Sequence, residues 1–208
     1  MITGAFIVVR LSSKRLPKKA TMGILGKPMI ELMTERIAQS KLIDKVIITT
    51  SQEPSDDPLE ELADKMGVGC FRGPLENVME RITGAARAFN CDTIVELLGD
   101  NPLIHSTLID DVINFYQNGG YHYSATLTKE YTVTSTIKKL FSVGIRVQVY
   151  SRTVAEQYAD YPDYLNNENK HPCAFIFDHP KTFRVGYFEA KGKWGFINRP
   201  DLTFAVNY

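Results

Sequence analysis

Glycine is missing from the whole stretch between Gly4 and Gly23, and that absence excludes two common ways of cradling phosphate. A Walker loop needs two glycines and a Gly-Lys-Ser/Thr ending, and the dinucleotide fingerprint needs three closely spaced glycines. Acid is missing too: no Asp or Glu precedes Glu31, while Arg10, Lys14, Arg15, Lys18, Lys19 and Lys27 all do. Net charge is lacking overall, with 24 basic residues against 24 acidic ones. A neutral chain has no global field for nucleic acid or an anionic membrane surface, so neither is an expected partner. Its cations are instead gathered at one end, where an anion is expected to meet them.

Cysteine is scarce. Cys70, Cys91 and Cys173 are far apart and without metal-ligand spacing, which argues for free thiols in a reducing, cytoplasmic setting. Long apolar runs are lacking as well: residues 5–9 form the longest near the start, too short for a secretory signal or a membrane span. Aromatics interleaved with basic residues, the pattern of single-stranded nucleic-acid binding, do not occur.

What is present is a regular alternation. Residues 4–9 form a short apolar, β-branched run bounded by glycine and a polar loop, the pattern of a buried strand. Residues 29–40 repeat apolar side chains at helical spacing. Residues 45–50 read as a second strand. Asp57-Pro58-Leu59-Glu60 reads as a helix start, with Asp57 as cap, Pro58 at the first position and Glu60 closing a capping box; Gly67 ends that helix. Strands over 68–71 and 93–98, a helix over 75–89 and another capped by Ser106 continue the series.

Four strand–helix repeats in the first 118 residues predict an α/β fold with a mostly parallel, Rossmann-like sheet and helices on both faces. Residues 119–208 are less regular, with strands expected over 122–127 and 144–150, a short helix over 152–157 and a long loop over 158–171. We read one domain over 1–208: residues 1–118 as the nucleotide-binding half and 119–208 as the acceptor-binding and dimerisation half. Ligands of such sheets bind beyond the carboxyl ends of the strands. Both Arg10-Leu11-Ser12-Ser13-Lys14-Arg15-Leu16-Pro17-Lys18-Lys19 and Leu98-Gly99-Asp100-Asn101-Pro102 follow predicted strands directly.

Those two motifs carry a resemblance. Arg-x-x-Ser-x-Arg-Leu-Pro-x-Lys, then Gly26-Lys27-Pro28-Met29-Ile30, then Phe71-Arg72-Gly73 and the Gly99-Asp100 turn, resemble the cytidylyltransferases that activate acidic sugars. That family includes the CMP-KDO and CMP-sialate synthetases and the spore-coat polysaccharide biosynthesis protein F group. The resemblance implies that Arg10, Ser13, Arg15 and Lys19 bind a nucleoside triphosphate, CTP, and that Arg72 lies near the nucleoside. It implies Asp100 as a magnesium ligand, His171 on the acceptor side, and Asn207 where the family carries a second metal-binding aspartate. Arg15, Lys19 and Asp100 are then the catalytic set, Mg²⁺ the cofactor, a small anionic acceptor the second substrate, and a homodimer the expected assembly. Two alternatives stay open: transfer of another nucleotide onto a sugar phosphate, and a non-catalytic nucleotide-binding protein of the same fold.

Overall fold

A computed structural model of the chain describes residues 1–13, 15–129, 139–159, 176, 179 and 181–206. Lys14, His171, Cys173 and Asn207 lie outside the described residues, as does most of the loop expected over 158–171.

The predicted alternation is present: β1 (Thr3–Val8), a hairpin of β2 (Gly23–Ile24) and β3 (Lys27–Pro28), α1 (Met29–Ile37), β4 (Lys45–Ser51), α2 (Asp57–Met66), β5 (Gly69–Gly73), α3 (Val78–Ala88), β6 (Thr93–Leu98) and α4 (Ser106–Gly119). The second half adds β7 (Tyr123–Thr126), β8 (Gln148–Ser151), α5 (Arg152–Ala159) and β9 (Val185–Phe188). One seven-stranded sheet collects strands from both halves in the order β5-β4-β1-β6-β8-β7-β9. Only β8 runs against the others, pairing antiparallel with β6 and β7, so the sheet is mostly parallel as the sequence implies.

Side-chain alternation along each strand builds two cores. Ala5, Ile7, Ile48, Val95 and Leu97 pack with α1, α2 and α4 on one face. Phe6, Ile47 and Ile94 pack with α3 and α5 on the other. Burial on both faces is why these strands are continuous apolar runs rather than alternating ones. The chain winds from β1 out to β4 and β5, then crosses back to β6 on the other side of β1. The carboxyl ends of β1 and β6 therefore flank the switch point of the sheet, the place where ligands of such sheets bind in a crevice.

Several local expectations are corrected. The cap of α2 is Asp56, not Asp57, and neither makes a side-chain capping bond; Asp56 is turned inward and Glu60 is drawn to Arg72. His105 caps α4 in place of Ser106, its Nδ1 accepting from the Thr107 N–H at 3.2 Å. The strand expected over 144–150 begins only at Gln148. Gly144 sits at φ +90°, with Ala205 so close that an added Cβ would lie 2.3 Å from its backbone nitrogen, so this segment bends to meet the end of the chain.

Candidate active site

The basic loop leaves β1 through a fixed point. Val9 N–H donates to the Thr49 carbonyl at 3.2 Å, continuing the β1–β4 ladder by one bond. At Leu11 the chain departs: its N–H donates to Asp56 Oδ1 at 2.7 Å and its carbonyl accepts from Lys18 N–H at 2.9 Å. The Leu11 side chain is buried, and Ala20 is buried at the far end of the loop. Residues 12–13 and 15–19 thus lie between two apolar anchors. Lys18 takes a left-handed conformation at φ 58° to turn the chain back. Arg10 and Arg15 are exposed, Ser13 is half-buried, and Ser13 Oγ accepts from Leu16 N–H at 3.4 Å. Neither Arg10 nor Arg15 has an ion-pair partner among the described residues. Lys27 does: it pairs with Glu31 and Glu35 of α1, so its charge is answered within the protein.

Lys19 points the other way, into the crevice. Its Nζ donates to Asp100 Oδ2 at 3.0 Å and to the Val206 carbonyl at 2.9 Å. Val206 N–H in turn donates to the Asp100 carbonyl at 2.9 Å. The last described residues are so laced across the β6 turn, with the loop lysine on top. The turn itself needs glycine. Gly99 N–H donates to the Val8 carbonyl at 2.9 Å, and a Cβ at Gly99 would fall 2.6 Å from the Val9 Cβ. Only a residue without a side chain lets the ends of β1 and β6 close this tightly. Asn101, 2% exposed, follows Asp100 with its Nδ2 lacking an acceptor among the described residues.

Arg72 is not part of this group. It lies on β5, two strands from β1, and its guanidinium is held by the start of α2 and the end of β4 with the residues just after it: Nη1 by Asp57 at 2.7 Å and Glu60 at 3.0 Å, Nη2 by the Glu53 carbonyl at 2.8 Å, Nε by the Ser51 carbonyl at 3.1 Å. The Asp57 carboxylate first, and the Glu60 carboxylate after it, raise the pKa of Arg72 and hold it firmly protonated. Lys19 and Asp100 are brought together at the carboxyl ends of the interior strands β1 and β6, with Arg10, Ser13 and Arg15 on the same loop as Lys19; Arg72 stands on the edge strand β5.

Sequence reasoning missed Asp56. Its carboxylate is fully buried and accepts Leu11 N–H, Thr50 Oγ1–H at 2.9 Å, Ser51 N–H at 3.2 Å and the Ser51 hydroxyl. Burial alone would raise its pKa; the Ser51 hydroxyl, Leu11 N–H and Thr50 bonds outweigh that and hold it below the ordinary value. Two adjacent aspartates before a proline carry no local mark of which one turns inward.

No group of three or more His, Cys, Asp or Glu side chains among the described residues could hold a metal ion. Asp100 is a single carboxylate that already carries an ammonium group. Such a donor set fits Mg²⁺ only when other oxygen ligands come with it, since Mg²⁺ needs six oxygens and keeps several as water.

With the geometry in place, comparison with known proteins decides the family. The profile described as cytidylyltransferase matches residues 5–191. The chain belongs to the cytidylyltransferase family. Within that family it is 31% identical over 208 aligned positions to a 3-deoxy-manno-octulosonate cytidylyltransferase of Hydrogenovibrio crunogenus, covering 91% of this chain and 82% of that protein. It is 27% identical to the spore coat polysaccharide biosynthesis protein SpsF of Bacillus subtilis, covering 88% and 73%. A solved cytidylyltransferase from Leptospira borgpetersenii superposes with a TM-score of 0.84 at 25% identity, over 100% of this chain and 82% of that one. The structure of a CMP:2-keto-3-deoxy-manno-octonic acid synthetase complexed with CTP shares the cytidylyltransferase fold, with a TM-score of 0.66 at 19% identity over 91% and 90%. No helix among the described residues is long and apolar enough to cross a membrane.

Proposed function

We propose that this cytidylyltransferase moves CMP from CTP onto a small acidic sugar or a related anionic acceptor and releases pyrophosphate. One observation carries the reading. A loop rich in cations and free of acids is fixed at the β1/β6 switch point, and its Lys19 touches Asp100, 81 positions away. Attack of an acceptor oxygen on the α-phosphorus builds negative charge on the departing pyrophosphate. Catalysis of such a step is mostly alignment and charge neutralisation. Arg10 and Arg15 stand exposed on the loop for the β and γ oxygens, and Ser13 and the loop amides supply neutral donors. Lys19 reaches across to the Asp100 side, where the acceptor oxygen has to approach.

Magnesium fits as an ion that arrives with the triphosphate: Asp100 would hold it, with Asn207 the position matched by resemblance, and it would supply charge neutralisation between phosphate and acceptor. The acidic acceptor rests on the relatives, whose names specify 3-deoxy-manno-octulosonate and spore coat polysaccharide biosynthesis. His171 is proposed on the acceptor side on the same ground, and a cytoplasmic homodimer is the proposed assembly.

The test is pyrophosphate release with CTP and Mg²⁺ across a panel of acidic sugars, 3-deoxy-manno-octulosonate among them, with neutral sugars and sugar phosphates as controls. Turnover confined to acids and to CTP is expected. Turnover with sugar phosphates and another nucleotide, or with no acceptor at all, would overturn it.

A further inference from the structure

We infer that Asp56 is the positioning residue of the triphosphate loop: a buried carboxylate that fixes where the loop leaves the sheet, and through it where the loop's cations stand. The inference rests on the reading of the loop 10–19 as the triphosphate cradle.

Asp56 ends a short 3-10 turn, Pro54–Asp56, between β4 and α2. It is 0% exposed. Among the described residues, every hydrogen bond to its carboxylate comes from a neutral donor, on two segments: Leu11 N–H at the root of the loop, and the end of β4 through Thr50 Oγ1–H and both the N–H and the hydroxyl of Ser51. An ionised carboxylate has no proton to give and can accept from several directions at once. Converging donors of this kind need such a group, and a buried carboxylate needs them in return.

Leu11 is where the force is applied. Its N–H is held by Asp56, its carbonyl by Lys18 N–H, and its side chain is buried. The two arms of the loop therefore meet at Leu11, with Arg15 at the tip and Lys18 and Lys19 on the returning arm. Releasing the Leu11 N–H frees this crossing point, not the strand below it, because Val9 keeps its own bond to Thr49. Arg72 joins the same device from outside: its Nε bonds the carbonyl of Ser51, whose hydroxyl bonds Asp56. Asp56 itself is buried away from solvent and from the crevice.

Asp56→Asn keeps the shape and breaks the pattern. One carboxylate oxygen becomes an NH₂ group that must face either Leu11 N–H or Ser51 N–H, donor against donor. The proposal predicts that Asp56→Asn weakens binding of CTP roughly tenfold or more, the scale of one buried donor left unsatisfied. Binding of CMP, which lacks the β and γ phosphates that the loop cations hold, should stay within about twofold by the same reasoning.

Calorimetric titration of CTP and of CMP at one Mg²⁺ concentration, into wild type, Asp56→Asn and Ser51→Ala, tests it. A collapsed CTP-to-CMP affinity ratio in Asp56→Asn, with a smaller loss in Ser51→Ala, bears the proposal out. Equal weakening of both nucleotides, or of neither, overturns it and leaves Asp56 as an ordinary structural pin. Should Asp56→Asn fail to fold, Ser51→Ala decides: a lowered ratio supports the proposal and an unchanged one sinks it. Wild-type protein that binds CMP as tightly as CTP would remove the cradle reading itself, and Asp56 with it. Wild type that prefers CTP, beside variants that do so equally, removes Asp56 alone.

Discussion

Lys19 donates to Asp100 across 3.0 Å, and both side chains are largely withdrawn from water at 12% and 20% exposure. The lysine that the loop would offer to phosphate and the aspartate that would hold the metal form one unit. Their ion pair has to be exchanged for contacts with the nucleotide, and the two residues should therefore not act independently. Lys19→Ala and Asp100→Ala are each expected to lower CTP turnover by orders of magnitude. The double variant should be no worse than the weaker single, because groups acting as one unit are strongly non-additive. Turnover losses that simply add would show the contact to be incidental.

Arg15 differs in being exposed. Arg15→Ala should cut turnover strongly while leaving thermal stability within about 0.5 kcal/mol of wild type, the range for surface positions. A folded variant with near-normal rates would remove Arg15 from the phosphate cradle.

The metal should follow the nucleotide. One carboxylate beside an ammonium group attracts a bare divalent ion weakly, whereas the triphosphate brings oxygen ligands and charge of its own. Titration of Mg²⁺ alone should show no binding in the micromolar range, and Asn207→Asp should lower the Mg²⁺ concentration giving half-maximal activity. Tight binding of free Mg²⁺, or an unchanged metal requirement in Asn207→Asp, would contradict this.

For Arg72 the structure and the family resemblance point to different measurements. Its guanidinium is engaged by Asp57, Glu60 and the Ser51 and Glu53 carbonyls, so Arg72→Ala should cost on the order of 1 kcal/mol, discounted for partial exposure. That corresponds to a melting shift of roughly 2–4 °C in a chain of this size, with a smaller loss of CTP affinity than Lys19→Ala causes. Unchanged stability together with lost CTP binding would place Arg72 against the nucleoside.

Acid should act through Asp56. Its pKa in the fold lies below the ordinary carboxylate value, so its contribution is fully present above the unfolded pKa, about 4, and is lost as pH falls through the folded one. The stability gap between wild type and Asp56→Asn, from urea unfolding, should stay level from pH 7 to about 5 and narrow below about 4. A gap that widens on acidification would reverse the assigned sign.

The amino-acid sequence by itself determined the α/β alternation and the position of the basic loop and of the Gly99-Asp100 turn at the carboxyl ends of β1 and β6. A continuous apolar run such as residues 5–9 marks a strand buried on both faces, and element boundaries are set by local signals: Gly67 ending α2, Gly99-Asp100 ending β6. It also determined that a loop of cations follows the first strand, which is a matter of composition. Tertiary structure alone decided which of those residues meet. Lys19 and Asp100, Asp56 and Leu11, and Arg72 and Ser51 are 81, 45 and 21 positions apart. A hydrogen bond over such a separation leaves no periodicity in the chain. The same holds for β9, a short segment whose strand character comes from its neighbour in the sheet rather than from its own residues. Asp56 and Asp57 are identical in kind and adjacent in sequence. One is buried under the loop and the other pairs with Arg72 at the surface, because burial of a carboxylate is repaid only where several donors converge on it, here the end of β4 and the distant Leu11 N–H.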